Sequence, residues 1–290
     1  MTMTNWFSSG TFILDGAWGT QLQLRGLEMG EHPDLWNLSH PDKVQEIASA
    51  YVQAGSDIIL TNTFGSNRFV LAKHGAEDKV AELNRAGVRI SKEAAQKQNR
   101  RVFASVGPTG VMLMSGTVTP EELYEAFLEQ VQAIADEVPD GIVIETMSDS
   151  AEAVLAVKAA KTTGLPVAAC MVFDTGKNKD RTMMGTTPEQ AVEQLTAAGA
   201  DIVGANCGQG IDGFIPICRR MRAVTTLPLW MKANAGLPEI VDGKTVYRQT
   251  PENFSESAKQ LLAAGANFLG GCCGTSPDYI RVLRAIPGGR

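Results

Sequence analysis

The sequence has 290 residues, a formal net charge of -6, five cysteines and no basic run. It therefore lacks the electrostatic footprint by which nucleic acids or anionic membrane surfaces hold a protein. Its start, MTMTNWFSSGTF, has no basic segment leading into an apolar one, and no stretch approaches the ~20 continuous apolar residues of a membrane span, so a soluble cytoplasmic protein is expected.

Short β-branched runs alternate with helical patterns along the whole chain, the signature of an α/β protein with a parallel sheet. Taken in order, strands are predicted at residues 11–15, 57–62, 102–106, 141–145, 166–172, 201–206, 227–233 and 267–271. After Pro41, Val44, Ile47, Ala48, Tyr51 and Val52 form one apolar stripe that stops near Gly55, as in a helix packed on a sheet. Thr119-Pro120-Glu121-Glu122 and Thr187-Pro188-Glu189-Gln190 place a capping hydroxyl, a first-turn proline and a third-position acid or amide at two helix starts. Thr250-Pro251 and Ser276-Pro277 read as the same device.

An internal repeat supports the strand assignment. AGSDIILTNTFG at 54–65, AGADIVGANCG at 198–208 and AGANFLGGCCG at 264–274 each read helix stop, acid or amide, apolar strand, polar strand end. Eight such units predict a (β/α)8 TIM barrel, whose usual size is ~250 residues. A doubly wound open sheet is the alternative, but no GxGxxG follows the first strand. With no linker-like or low-complexity segment, residues 1–290 are expected to form a single domain.

Aligning the repeats sets Asn206 on Cys272 and Cys207 on Cys273, so a third thiol occupies the strand end equivalent to that of the adjacent pair. Side chains of alternate strands share a layer inside such barrels, and strands 6 and 8 are both even-numbered. Three converging thiols with an open fourth position would suit a catalytic zinc at the C-terminal ends of the strands. Buried cysteine is also a common core residue and a bare CC is no zinc motif, so pattern alone leaves ligation and packing equally open. A disulfide between neighbours fits standard geometry poorly. Cys170 and Cys218 lie in apolar runs and are assigned to packing.

The blocks ILDGAWGTQL (13–22), TNTFGSN (61–67), IET (144–146), GANCG (204–208), NAGLP (234–238) and GGCCGT (270–275) together resemble the homocysteine S-methyltransferase family, nearest its cobalamin-dependent methionine synthase branch. The resemblance runs in order over residues ~11 to 286 and implies a zinc-dependent (β/α)8 methyltransferase that activates homocysteine as a thiolate and methylates it to methionine. It carries the zinc ligands onto Cys207, Cys272 and Cys273, which are then also the catalytic residues. Asn234 matches a residue that can take the fourth zinc position while substrate is absent. Asp15 and Glu145 match positions that grip the substrate ammonium, although on pattern alone a turn acid and a solvated strand end are the simpler readings. Gly16, Ala17 and Thr20 are placed to offer donors to the substrate carboxylate. His32, His40 and His74 fall outside these blocks and receive no chemistry.

A thiol titrates near ~8.5, and only its thiolate is nucleophilic, so zinc would make the substrate sulfur reactive at neutral pH. The expected methyl donor is methylcobalamin on a separate corrinoid protein or module. The chain itself has no Asp-x-His-x-x-Gly loop to hold a corrinoid, and only 6% of it is aromatic, with Trp18 the one aromatic of its block, which leaves a cage for betaine unsupported. A self-sufficient enzyme using S-methylmethionine or betaine, and a methyltransferase for another small thiol, are the alternatives.

Overall fold

The computed structural model describes residues 6–7, 10–241 and 244–286. Eight parallel strands form a (β/α)8 TIM barrel: β1 (Phe12–Ile13), β2 (Ile58–Leu60), β3 (Arg101–Val106), β4 (Gly141–Met147), β5 (Val167–Met171), β6 (Ile202–Gly210), β7 (Leu229–Asn234) and, after an inserted hairpin of β8 (Glu239–Val241) and β9 (Lys244–Val246), β10 (Phe268–Gly271). Their order is β1-β10-β7-β6-β5-β4-β3-β2. All eight predicted strands are present. The hairpin was not predicted, because its first strand is exposed along its length and carries no apolar alternation toward a core.

The repeated acid or amide has a common structural purpose. In four repeats its backbone N–H and its side chain together clamp the start of the preceding barrel strand. Asp57 does this to Ile13, Asp140 to Val102, Asp201 to Val167 and Asn267 to Leu229, with side-chain contacts of 2.8–2.9 Å to the strand N–H groups. Gly55, Gly199 and Gly265, two residues earlier in three of these repeats, have φ of 102°, 104° and 105°. Each is the left-handed stop that turns a helix into the next strand. Between β1 and β2 there is no ladder, and the Asp57 clamp, with the Leu60 N–H donated to Asp15, closes that seam.

Alternation along the strands separates two cores. Val102, Ala104 and Val106 face the helices, while Phe103 points into the barrel with Phe12, Trp230 and Phe268. Successive ring centroids in the order Phe12, Phe268, Trp230, Phe103 lie 5.1–5.4 Å apart, and Trp6 packs edge-on against Phe12. Gly204 lets β6 lie close against the β7 backbone, since a Cβ there would stand 1.9 Å from the Trp230 carbonyl oxygen. Cys170 is in this inner core and Cys218 is buried on a helix, both as expected.

Helix starts follow the sequence closely. Thr119 with Glu122 and Thr187 with Gln190 form reciprocal capping boxes, whereas Thr250 and Ser276 cap in one direction only. The helix Pro41–Ala54 buries the predicted stripe. Among the described residues no helix is long and apolar enough to cross a membrane.

Candidate functional site

A cavity of about 480 Å³ opens at the C-terminal ends of the strands. Gly16, Ala17, Thr20, Glu145 and the three cysteines Cys207, Cys272 and Cys273 line it. Strand ends bring these residues together from β1, β4, β6 and β10, where barrels of this type display their chemistry.

The three Sγ atoms all lie within 4.8 Å of one another, with Cys207 and Cys273 3.8 Å apart. A tetrahedral zinc with ~2.3 Å bonds to sulfur separates its thiolates by roughly 3.8 Å, so the donor set fits the ion in both type and spacing. Local backbone explains how. Strand β10 ends at Gly271, and Cys272 and Cys273 follow in a turn closed by Gly274 at φ 80°, which frees the adjacent side chains from strand alternation. The Cys272 N–H donates to the Ala233 carbonyl and the Cys273 N–H to Asn234 Oδ1 at 3.1 Å, fastening the turn to β7. Cys207 itself sits at φ 61°, inside the register shift between Asn206 and Gly210. Hydrogen bonds from Cys272 and Cys273 to its sulfur pull the Cys207 pKa down, and the same interactions push that of Cys272 up.

Glu145 is buried at 7% exposure and keeps one face to the cavity. Burial raises its pKa, and the nearby Lys232 ammonium works against that rise. Its Oε1 accepts the Ser105 hydroxyl at 2.6 Å, and its Oε2 accepts the Asn206 amide at 3.3 Å. Asp15, expected beside it, does not line the cavity. It is fully buried, with Oδ1 2.5 Å from Lys232 Nζ and Oδ2 accepting the Leu60 N–H and the Trp18 indole N–H. Ala17 lines the wall, but its N–H is already donated to Thr275 Oγ1 at 3.1 Å, and the Thr20 hydroxyl accepts the Gly274 N–H at 3.4 Å. The loop is held from behind by Tyr51, whose hydroxyl donates to the Ala17 carbonyl.

Sequence reasoning passed over Lys232, Asn206, Thr146 and His32. The signal for Lys232 was a lone cation inside the apolar run LPLWMKA; Thr146 and Asn206 stand inside the blocks IET and GANCG, and His32 had none in the local pattern. His32 forms part of the cavity wall, stacked on His74 with ring centroids 4.7 Å apart and with Nε2 3.9 Å from Asp34. Burial pulls the His32 pKa down to about 4 and pushes that of Asp34 up to about 7.

The signs of these shifts give a testable result. Asp34 titrates higher folded than unfolded, so its contribution to stability is complete below about pH 4 and is lost as the pH rises through about 7. His32 titrates lower when folded, so its contribution is complete above about pH 6.5 and is lost as the pH falls through about 4. One Asp34 oxygen takes both the Gly65 N–H and the Ser66 hydroxyl, a task an amide oxygen can also perform. Asp34→Asn is therefore expected to gain thermal stability relative to the unmodified protein as the pH is raised from about 4 to about 7. Melting curves that shift in parallel over that range would contradict the assignment.

The sequence model of the homocysteine S-methyltransferase family matches residues 12–286. The methionine synthase of Mycobacterium leprae (strain TN) is 29% identical over 288 aligned residues, covering 93% of this chain and 24% of the relative. For the methionine synthase of Mycobacterium tuberculosis (strain ATCC 25618 / H37Rv) the identity is 28%, covering 96% of this chain and 25% of the relative. The chain thus spans about a quarter of the length of these curated relatives. Among solved structures, the metallated form of the homocysteine methyltransferase MmuM from Escherichia coli superposes with a TM-score of 0.79 at 22% identity, covering 96% of both chains, a likeness of fold.

Proposed function

Since the chain belongs to the homocysteine S-methyltransferase family, we propose that it binds homocysteine in the cavity, presents its sulfur as a thiolate and passes it a methyl group to give methionine. The observation that carries this reading is the convergence of three thiols at zinc-ligand spacing with a buried carboxylate in one strand-end cavity. Cys207, Cys272 and Cys273 would hold zinc, with Asn234, beside them, available for the fourth position while substrate is absent. Zinc in that position would supply the Lewis acidity that deprotonates the substrate thiol at neutral pH.

The chain's own residues do the rest. Glu145 faces the cavity and accepts the substrate ammonium. Asp15, one layer deeper, does not touch the substrate and offsets the charge of Lys232 beneath Glu145. The substrate carboxylate is directed to the Gly16–Thr20 loop, where the Thr20 hydroxyl hydrogen remains a donor.

Methylcobalamin on a separate corrinoid protein or module is the proposed donor, met in the cytoplasm. The loops after β3, β5 and β7 carry exposed Met112, Met114, Met183, Leu237 and Ile240, an apolar rim suited to a protein surface. Trp18 and Phe64 in the cavity wall favour a second reading, a small cationic donor held by cation–π contact.

Zinc-loaded protein is to be given homocysteine with, in turn, a methylated corrinoid protein, free methylcobalamin, S-methylmethionine and betaine. Methionine is expected in proportion to corrinoid demethylated. Rapid turnover with betaine or S-methylmethionine, together with failure of both corrinoid forms, would replace the donor assignment with the second reading. Failure of homocysteine to bind at all would overturn the substrate.

A further inference from the structure

Thr146 follows Glu145 with φ of 63°, a conformation in which a β-branched residue is strained. Something must hold it there. The ladder between β4 and β5 shifts register between Ile144 and Met147, so sheet pairing does not. The restraint comes from the next strand but one, from the fully buried side chain of Asn206 on β6. Its Oδ1 accepts the Thr146 N–H at 2.7 Å, and its Nδ2 donates to Thr146 Oγ1 at 2.7 Å and to Glu145 Oε2 at 3.3 Å. The reverse amide orientation would set an oxygen against the carboxylate and leave the Thr146 N–H facing a donor, so the surrounding groups fix which way the amide points.

Asn206 is also the residue immediately before Cys207, at the start of the β6 register shift, and its Nδ2 lies 4.0 Å from Cys272 Sγ. One short side chain thereby references the Glu145 carboxylate and the thiol cluster to each other. Aspartate would lack the donor for Glu145, and leucine would lack both donor and acceptor.

We infer that Asn206 is a positioning residue that orients the Glu145 carboxylate toward the substrate ammonium and sets its distance from the cysteine cluster. This rests on Glu145 being the ammonium anchor. Ser105 holds one carboxylate oxygen and Asn206 the other, so losing Asn206 leaves Glu145 free to rotate away from the ammonium while the thiols keep their own backbone supports.

The test is calorimetric titration of the zinc-loaded full chain with homocysteine and with 4-mercaptobutanoate, which has the same thiol and carboxylate but no ammonium. The readout is the ratio of the two dissociation constants. Asn206→Ala is expected to weaken homocysteine binding about tenfold, the scale of one hydrogen bond to a charged group, while zinc content and 4-mercaptobutanoate binding stay as in the unmodified protein. In turnover the same variant raises KM with little change in kcat. In a Glu145→Gln background, Asn206→Ala should have no further effect on the ratio. If Glu145→Gln leaves the ratio unchanged, the anchor reading itself fails. If Glu145→Gln collapses the ratio while Asn206→Ala preserves it, the anchor stands and the positioning inference is overturned. Should Asn206→Ala not fold, Asn206→Ala/Thr146→Gly needs no clamp on the turn, and recovery of the full ratio in that protein would likewise overturn the inference.

Discussion

Lys232→Met is expected to destabilise the protein by about 3 to 5 kcal/mol, the usual consequence of removing one member of a buried ion pair. Lys232 is 2% exposed, and its partner Asp15 is completely buried. Burial acts to lower the Lys232 pKa, but the carboxylates of Asp15 and Glu145 more than offset that, so the ammonium stays charged. Methionine fills much the same volume, which confines the change to the charge. Asp15 then keeps its two N–H donors but faces no cation in a region that water does not reach. Denaturant unfolding measures the loss. Asp15→Asn combined with Lys232→Met should recover a large part of it, because the fully buried carboxylate that had lost its direct partner is then gone, leaving only Glu145, which faces the cavity. A single variant within about 1 kcal/mol of the unmodified protein would mean that the pair is not what holds this layer together.

Alanine at Cys207, Cys272 or Cys273 is expected to remove most of the zinc and to reduce methyl transfer by more than the ~100-fold that changes behind a metal's ligands typically cost. The unmodified protein should carry about one zinc per chain in sulfur-rich coordination. Cys170→Ala and Cys218→Ala are the controls, since both side chains are buried in apolar cores away from the cavity. Elemental analysis of each purified variant decides the matter before any assay of turnover. Full occupancy in Cys273→Ala would rule out the three-thiolate site.

Much of this was legible in the sequence, and the reason is local. Apolar strands bounded by glycine stops, and helix starts marked by Thr-Pro-Glu, depend on neighbours a few residues away, and all eight barrel strands and both capping boxes follow. The thiol cluster could be anticipated because the repeat placed Cys207 and Cys273 at equivalent strand ends. What the sequence hid depends on contacts across the barrel. Strand β1 is shorter than the predicted 11–15 because its register with β10 covers only Phe12 and Ile13, with Leu14 and Asp15 continuing along β10 through single backbone hydrogen bonds to Leu269 and Gly271. Asp15 was expected in the cavity wall, yet Lys232, 217 residues away, draws its carboxylate inward. Asn206 looked like a strand residue beside a cysteine, and only the folded barrel sets its amide against Glu145 and Thr146, 61 and 60 residues earlier.

The seam between β1 and β2 has a consequence for how the barrel moves. A hoop of eight ladders must break several backbone hydrogen bonds to widen anywhere; this one can part where two strands are joined through carboxylates. Asp57 there also accepts Arg100 and Arg284, so a single side chain ties the first strand to the approach of the third and to the helix Pro277–Arg284. Ser56 donates its hydroxyl to the Leu14 carbonyl across the same seam, and at its upper end Asp15 grips the Leu60 N–H beneath the cavity wall formed by Trp18 and Leu60. Breathing at this joint would widen the cavity where Trp18 and Leu60 form its wall, admitting a substrate or a donor's reactive end, while the other edge of β1 stays laddered to β10, the strand that leads into Cys272 and Cys273. Amide hydrogen exchange locates such motion. Leu60 should exchange sooner than Val143, which stands between two paired strands, and sooner still once Lys232→Met has loosened Asp15.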